Sequence, residues 1–157
     1  MSGYPHELWT EIEPGLWMGG TAEDGRTQDL PFDAVVTCYA WALPVTWEVE
    51  ELRYGFYDGP ISGVDLARVE RAADWAFARW QAGDRVLIRC QAGLNRSGIV
   101  TALVLMRGGL TGTEAIARIR ERRGPQALSN ASFAGWIARH GVGSPTTLAT
   151  APEKEIA

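Results

Sequence analysis

Val86-Leu87-Ile88-Arg89-Cys90-Gln91-Ala92-Gly93-Leu94-Asn95-Arg96-Ser97-Gly98 decides how this chain is read. The apolar run 86–88, announced by the turn signal Gly83-Asp84, reads as a buried strand. The run 99–106, interrupted only by Thr101 and stopped by Gly108-Gly109, reads as a helix. A loop that feeds a helix N-terminus presents backbone N–H groups at the positive end of the helix dipole, which favours an anion. A cysteine at that place is stabilised as a thiolate. Arg96 offers a planar fork to two oxygens of a tetrahedral anion. Gly93 permits a sharp turn that lets amides converge. Ser97 puts a hydroxyl within reach of the sulfur. Gln91, Ala92, Gly93, Leu94, Asn95 and Arg96 together suit a phosphate monoester whose phosphorus faces Cys90.

Outward from this stretch, strands and helices alternate. Residues 1–10 read as a loose lead-in, and 15–20 as a short strand closed by glycines. Residues 21–28 suggest a brief helical turn. The apolar run 32–38 suits a buried parallel strand. Residues 41–51, broken by Pro44, have no clear pattern, and Trp41, Trp47 and Tyr57 suit either core or site rim. Residues 52–57 alternate as a third strand, ended by Asp58-Gly59-Pro60. Residues 64–82 form a long helix with Leu66, Val69, Ala73, Ala76 and Trp80 on one stripe. Thr111-Gly112-Thr113-Glu114 is a capping box for a helix to Arg123, which Gly124-Pro125 stops. Ser129 or Asn130 caps a last helix, closed by Gly141. The fold class is α/β, a central mostly parallel sheet of about four to five strands flanked by helices. Such sheets bind ligands at the carboxyl ends of central strands. Residues 1–143 read as one catalytic domain, and 144–157 as a disordered tail.

Composition bounds the function. With 157 residues, 46% hydrophobic and 22% charged, the chain is globular. No apolar run is long enough to span a bilayer, and residues 1–10 lack a secretory pattern. Two cysteines build no disulfide framework. These features point to a cytoplasmic protein. The net charge of −4 disfavours nucleic acid and anionic membrane as partners. One lysine against 14 arginines, with abundant Ala and Gly, suggests a GC-rich bacterial genome.

At Cys90 to Ser97 the chain resembles the protein tyrosine phosphatase superfamily, in its small dual-specificity type. The likeness runs from about residue 12 to residue 137. It implies a phosphatase that needs no cofactor or metal, with a phosphorylated protein or a small phosphate monoester as partner. Phosphotyrosine is the expected substrate, with phosphoserine and phosphothreonine beside it. Cys90 would be the nucleophile, forming a phosphocysteine, and Arg96 the phosphate clamp. Asp58 lies 32 residues before Cys90, like the acid loop of these enzymes, although a turn aspartate before glycine explains it too. Asp65 is the reserve acid, or simply a residue suited to a helix start. Ser97 would assist the departing thiolate. Asn130 sits where the family places an asparagine that buttresses the loop; an ordinary cap explains it equally. Cys38 stands where some relatives carry a redox partner for the nucleophile, and a buried strand thiol is the plainer reading.

Two departures accompany the likeness. Arg89 replaces the family's usual histidine before the cysteine, and strand alternation turns it away from the side Cys90 faces. The loop interior carries no further Lys or Arg, which argues against highly anionic substrates. A sulfurtransferase or arsenate reductase also uses a cysteine in an anion-binding loop, without need of Asp58. A phosphate-binding pseudophosphatase is a third reading.

Overall fold

The computed structural model describes residues 7–21, 31–45 and 48–140. The expected turn at 21–28 lies almost wholly outside them, as do Trp47, the stop at Gly141 and the 143/144 boundary. Five strands form one sheet in the order β1-β2-β5-β3-β4: β1 Trp9–Glu13, β2 Leu16–Gly19, β3 Ala34–Thr37, β4 Glu50–Arg53 and β5 Val86–Arg89. β1 and β2 pair antiparallel through a turn at Pro14-Gly15, and the remaining neighbours pair parallel. β5 lies at the centre, as its fully buried apolar sequence requires.

The sheet differs from the sequence expectation at both ends. The stretch 1–10 is not merely a lead-in: Trp9 and Thr10 begin β1. Its polar-rich Trp-Thr-Glu-Ile-Glu suits an edge strand that pairs on one side only. The third expected strand, 52–57, is displaced to Glu50–Arg53, because β3 offers backbone partners only there. The Tyr54 amide still reaches the Thr37 carbonyl at 3.0 Å. Beyond it the chain runs off the sheet toward the loop after β5.

Alternation sorts the side chains. Ala34, Val36, Val86 and Ile88 share one continuous core with Cys38, Cys90 and four α-helices. Leu87 and Val35 belong to a smaller cluster with Phe32, Trp9 and Trp17. The helices are α1 Leu66–Gln81, α2 Arg96–Arg107, α3 Gly112–Arg123 and α4 Ala131–Arg139. The α1 stripe buries Val69, Ala73 and Ala76 as the pattern predicts, with Ala72 beside them; Leu66 and Trp80 lie at its partly exposed ends. α2 is buried from Ser97 through Met106 and packs against α1, α3 and the sheet. A helix apolar all round belongs in the interior. The Thr111–Glu114 capping box is present with both of its hydrogen bonds. Among the described residues no helix is long and apolar enough to cross a membrane.

Candidate active site

The carboxyl end of β5 delivers Cys90 to the start of the loop, where the residue is only 2% exposed. The Cys90 amide donates to the Gly19 carbonyl at 3.1 Å, which seats the first loop residue on β2. Sγ of Cys90 and Oγ of Ser97 stand 3.3 Å apart, with Ser97 fully buried in the first turn of α2. In the thiol the S–H donates to the hydroxyl oxygen; toward a thiolate the hydroxyl reverses and donates.

Residues 91–95 show a consistent asymmetry. The Gln91 carbonyl accepts from the Thr21 amide (3.1 Å), the Leu94 carbonyl from the Leu128 amide (3.0 Å) and the Asn95 carbonyl from the Ile99 amide (2.9 Å). Arg123 donates to the Gly93 carbonyl at 3.0 Å and to that of Ala92 at 3.4 Å. The surrounding framework thus takes up all five carbonyls. None of the five amides finds an acceptor among the described residues. Gly93, at φ +75°, permits the necessary turn.

α2 carries the same imbalance. Asp65, Thr111 and Asn130 cap the other three α-helices through their side chains, whereas Asn95 provides no side-chain cap to α2. A buried helix start without a cap leaves donors that a ligand can satisfy. Arg96 opens this helix. Its guanidinium lies over the Tyr39 ring, 5.2 Å from the centroid, and donates to the Phe56 carbonyl at 3.4 Å. Its Nε is buried and has no partner among the described residues. Donors are seldom left so, and here the free donor sits in the residue expected to clamp an anion.

The Asn95 side chain serves a different purpose. Its Nδ2 donates to Asp58 at 2.9 Å, and its Oδ1 accepts from the Asn130 amide at 2.9 Å. Asn130 Nδ2 donates to the other Asp58 oxygen at 2.7 Å and to the Gly59 carbonyl at 2.9 Å. Its Oδ1 caps α4 by accepting from the Phe133 amide at 3.1 Å. Asn130 is therefore both an ordinary cap and a brace between the loop and Asp58. Asp65 is spent as the cap of α1 and pairs with Arg68 at 3.3 Å.

Cys38 continues β3 beside Cys90: its amide donates to the Arg89 carbonyl at 2.8 Å, and both cysteines belong to the same core cluster. Both are free thiols. Burial pushes the Cys38 thiol well above its ordinary range, and the neighbouring Cys90 adds to this, while Arg96 opposes it. Arg89, 8% exposed, turns to the opposite face as alternation predicts. It donates to Thr37 Oγ1 at 2.9 Å and the Leu43 carbonyl at 2.8 Å, and pairs with Glu51 at 3.3 Å. Burial lowers its pKa and Glu51 pulls it back. Trp41 and Tyr57, 83% and 88% exposed, belong to the surface rather than the core.

Sequence reasoning missed two parts of this arrangement. The sequence places Asn95 among the residues that receive the phosphate, yet its side chain holds Asp58. The sequence marks Arg123 only as the last helical residue, yet it lies under the loop; nothing in the basic run around it separates it from Arg120 and Arg122.

Comparison with known proteins bears on the same region. A family model described as dual specificity phosphatase, catalytic domain, matches residues 65–142. The mouse dual specificity protein phosphatase 12 is 30% identical over 131 residues. That match takes in 78% of this chain and 38% of the mouse protein, so the chain spans well under half of that relative. The crystal structure of human DUSP28 is similar, with a TM-score of 0.76 and 24% identity, over 90% of this chain and 98% of that one. A mouse putative dual specificity phosphatase complexed with zinc tungstate gives a TM-score of 0.70 and 20% identity, over 92% and 95% of the two chains. The solved structures share the fold, the family model matches the segment holding Cys90 and Arg96, and the chain belongs to the small dual-specificity phosphatases of the protein tyrosine phosphatase superfamily.

Proposed function

We propose that this chain is a cysteine-dependent phosphatase that hydrolyses phosphate monoesters, phosphotyrosine first, with phosphoserine and phosphothreonine in the same class. The observation that carries this reading is the one-sided loop: every carbonyl from Gln91 to Asn95 is engaged by the framework, and no amide has an acceptor among the described residues, which leaves the amides for a ligand. That arrangement, beside an uncapped helix start and the free Nε of Arg96, suits the equatorial oxygens of a phosphoryl group. The tungstate complex named for the mouse relative is consistent with an oxyanion in such a loop.

The reaction follows from these parts. The Cys90 thiolate attacks phosphorus while the bond to the ester oxygen breaks. Asp58 gives its proton to that oxygen, exchanging one of its two amide donors for the leaving group. Water then attacks the phosphocysteine. Asp58 accepts the water proton, the P–S bond breaks, and Ser97 donates to the departing thiolate across the 3.3 Å contact. Asn130 keeps Asp58 in place throughout. The braced Asp58 also weighs against a sulfurtransferase or arsenate reductase, which has no use for it. The Arg89 substitution, the one feature suggesting a pseudophosphatase, lies on the far face in its own ion pair.

Hydrolysis of p-nitrophenyl phosphate by Cys90→Ser and Asp58→Ala tests the proposal. Cys90→Ser should abolish turnover while retaining vanadate binding. Asp58→Ala should lose about 10²-fold or more on phosphotyrosine, and little where the leaving group needs no proton. Full activity in Cys90→Ser excludes the mechanism, and vanadate binding by an inactive wild-type protein identifies a pseudophosphatase.

A further inference from the structure

Arg123 ends α3 and is 4% exposed, a degree of burial unusual for a guanidinium. It makes four hydrogen bonds. Nε donates to the Gly93 carbonyl (3.0 Å) and Nη2 to the Ala92 carbonyl (3.4 Å). Nη1 donates to the Glu7 carbonyl and to Thr10 Oγ1, both at 2.8 Å. All four acceptors are neutral. Among the described residues no carboxylate stands within ion-pair distance of Arg123. Arg89, the other buried arginine, has a carboxylate partner, and so does the half-buried Arg107.

The place of this charge matters. A Cβ on Gly93 would lie 2.5 Å from Nη2 of Arg123, and 2.5 Å from the carbonyl carbon of Gly19. The guanidinium therefore occupies the space that a side chain at 93 would need, directly against the phosphate loop. Burial depresses the Arg123 pKa, and the largest attraction opposing it comes from Cys90, with Glu7 second. A buried cation without a fixed counter-ion costs free energy unless an anion answers it. The end of α3 answers part of it through the helix dipole. The remainder is available to the contents of the loop.

We infer that Arg123 is a positioning residue of the phosphatase site, holding the Ala92 and Gly93 carbonyls back from the cradle and supplying, from beneath the loop, a second buried positive charge beside Arg96. The inference rests on the phosphatase reading, since it presupposes that Cys90 and the loop receive an anion. It assigns the two halves of the guanidinium's work to separable properties. The fork geometry sets the loop, and the charge sets the local potential.

Alkylation of Cys90 separates these properties without turnover. Iodoacetate is anionic and iodoacetamide neutral, and both react with the same thiolate. The ratio of their rates cancels the thiolate fraction and reads the potential at the sulfur. Arg123→Met should lower that ratio about fivefold and weaken vanadate inhibition about tenfold. Arg123→Lys keeps the charge but cannot reach both loop carbonyls and β1 together. It should hold the ratio within about twofold of wild type while kcat falls roughly tenfold. Circular dichroism checks that each variant is folded. If Arg123→Met is not, Arg123→Gln carries the same test, because it loses the charge and keeps a donor toward Gly93. A ratio unchanged on losing the charge, or a kcat unchanged in Arg123→Lys, overturns the inference. Either result leaves the phosphatase reading intact, which falls instead if Cys90→Ser remains active or wild type shows no turnover.

Discussion

Asn130 joins two functions that a pair of substitutions can separate. Its Oδ1 caps α4, and its Nδ2 holds Asp58 and the Gly59 carbonyl. Asn130→Ala removes both. Loss of the cap costs about 1 kcal/mol. Loss of two partly solvated hydrogen bonds adds about 1 kcal/mol, taking the lower end of the range for each. For a domain of this size, ~2 kcal/mol corresponds to a fall in Tm of roughly 6 °C. Asn130→Ser keeps a good cap but is too short to reach Asp58, so only about 1 kcal/mol and roughly 3 °C should be lost. The catalytic consequence should be the same in both variants. Among the described residues Asp58 is then held only by Asn95, and kcat on phosphotyrosine should fall about tenfold, a fraction of what general acid catalysis is worth. A substrate with a good leaving group should show little change. Thermal melts and kcat measured on both substrates give six numbers. The reasoning is refuted if Asn130→Ser turns over phosphotyrosine at the wild-type rate, or if its kcat loss is equal on both substrates.

Three further expectations concern the surrounding framework. Cys38 lies beside Cys90 in the sheet, and burial holds it as a thiol, so peroxide should oxidise Cys90 to the sulfenic acid and Cys38 should then close a disulfide with loss of water; wild type should recover activity with dithiothreitol and Cys38→Ser should not, and equal recovery would remove Cys38 from the redox role. Burial raises the Glu70 pKa, but the His140 imidazole 3.1 Å away and the hydrogen bond from Arg107 outweigh it and leave the carboxyl below its ordinary value. Its stabilisation is therefore present above the ordinary carboxylate range and lost as pH falls through the lowered folded pKa, so Glu70→Gln should flatten the fall in Tm between about pH 5 and pH 3. Arg89→Met leaves the Leu43 carbonyl without its donor and takes one cation from a buried Glu51 that keeps Arg53 and Thr37. About 3 kcal/mol of destabilisation in urea is expected, with kcat nearly unchanged because Arg89 faces away from Cys90.

Much of the site was legible because it is local. Cys90, Gly93, Arg96 and Ser97 occupy eight consecutive residues, and strand, loop and helix start each have short-range signatures. The Thr111–Glu114 cap was legible for the same reason. The orientation of Arg89 followed from the two-residue period of a strand. The first strand was not legible, because an edge strand of polar residues has neither a continuous apolar run nor clean alternation. The end of β4 was not legible either, since backbone pairing stops where β3 stops, 16 residues earlier in the chain at Thr37.

The hold of Asn95 and Asn130 on Asp58, and the place of Arg123 under the loop, depended wholly on tertiary structure. Asp58 meets Asn95 across 37 residues and Asn130 across 72, while Arg123 reaches Gly93 across 30 and Thr10 across 113. One-dimensional patterns report what a segment buries and where it turns, because those preferences act within a few residues. They carry no record of which distant carbonyl a long, flexible guanidinium will find, or which carboxylate an amide will brace. The sequence by itself therefore determined the candidate nucleophile and its loop, and only the packing of α3 and α4 against that loop decided what holds it in shape.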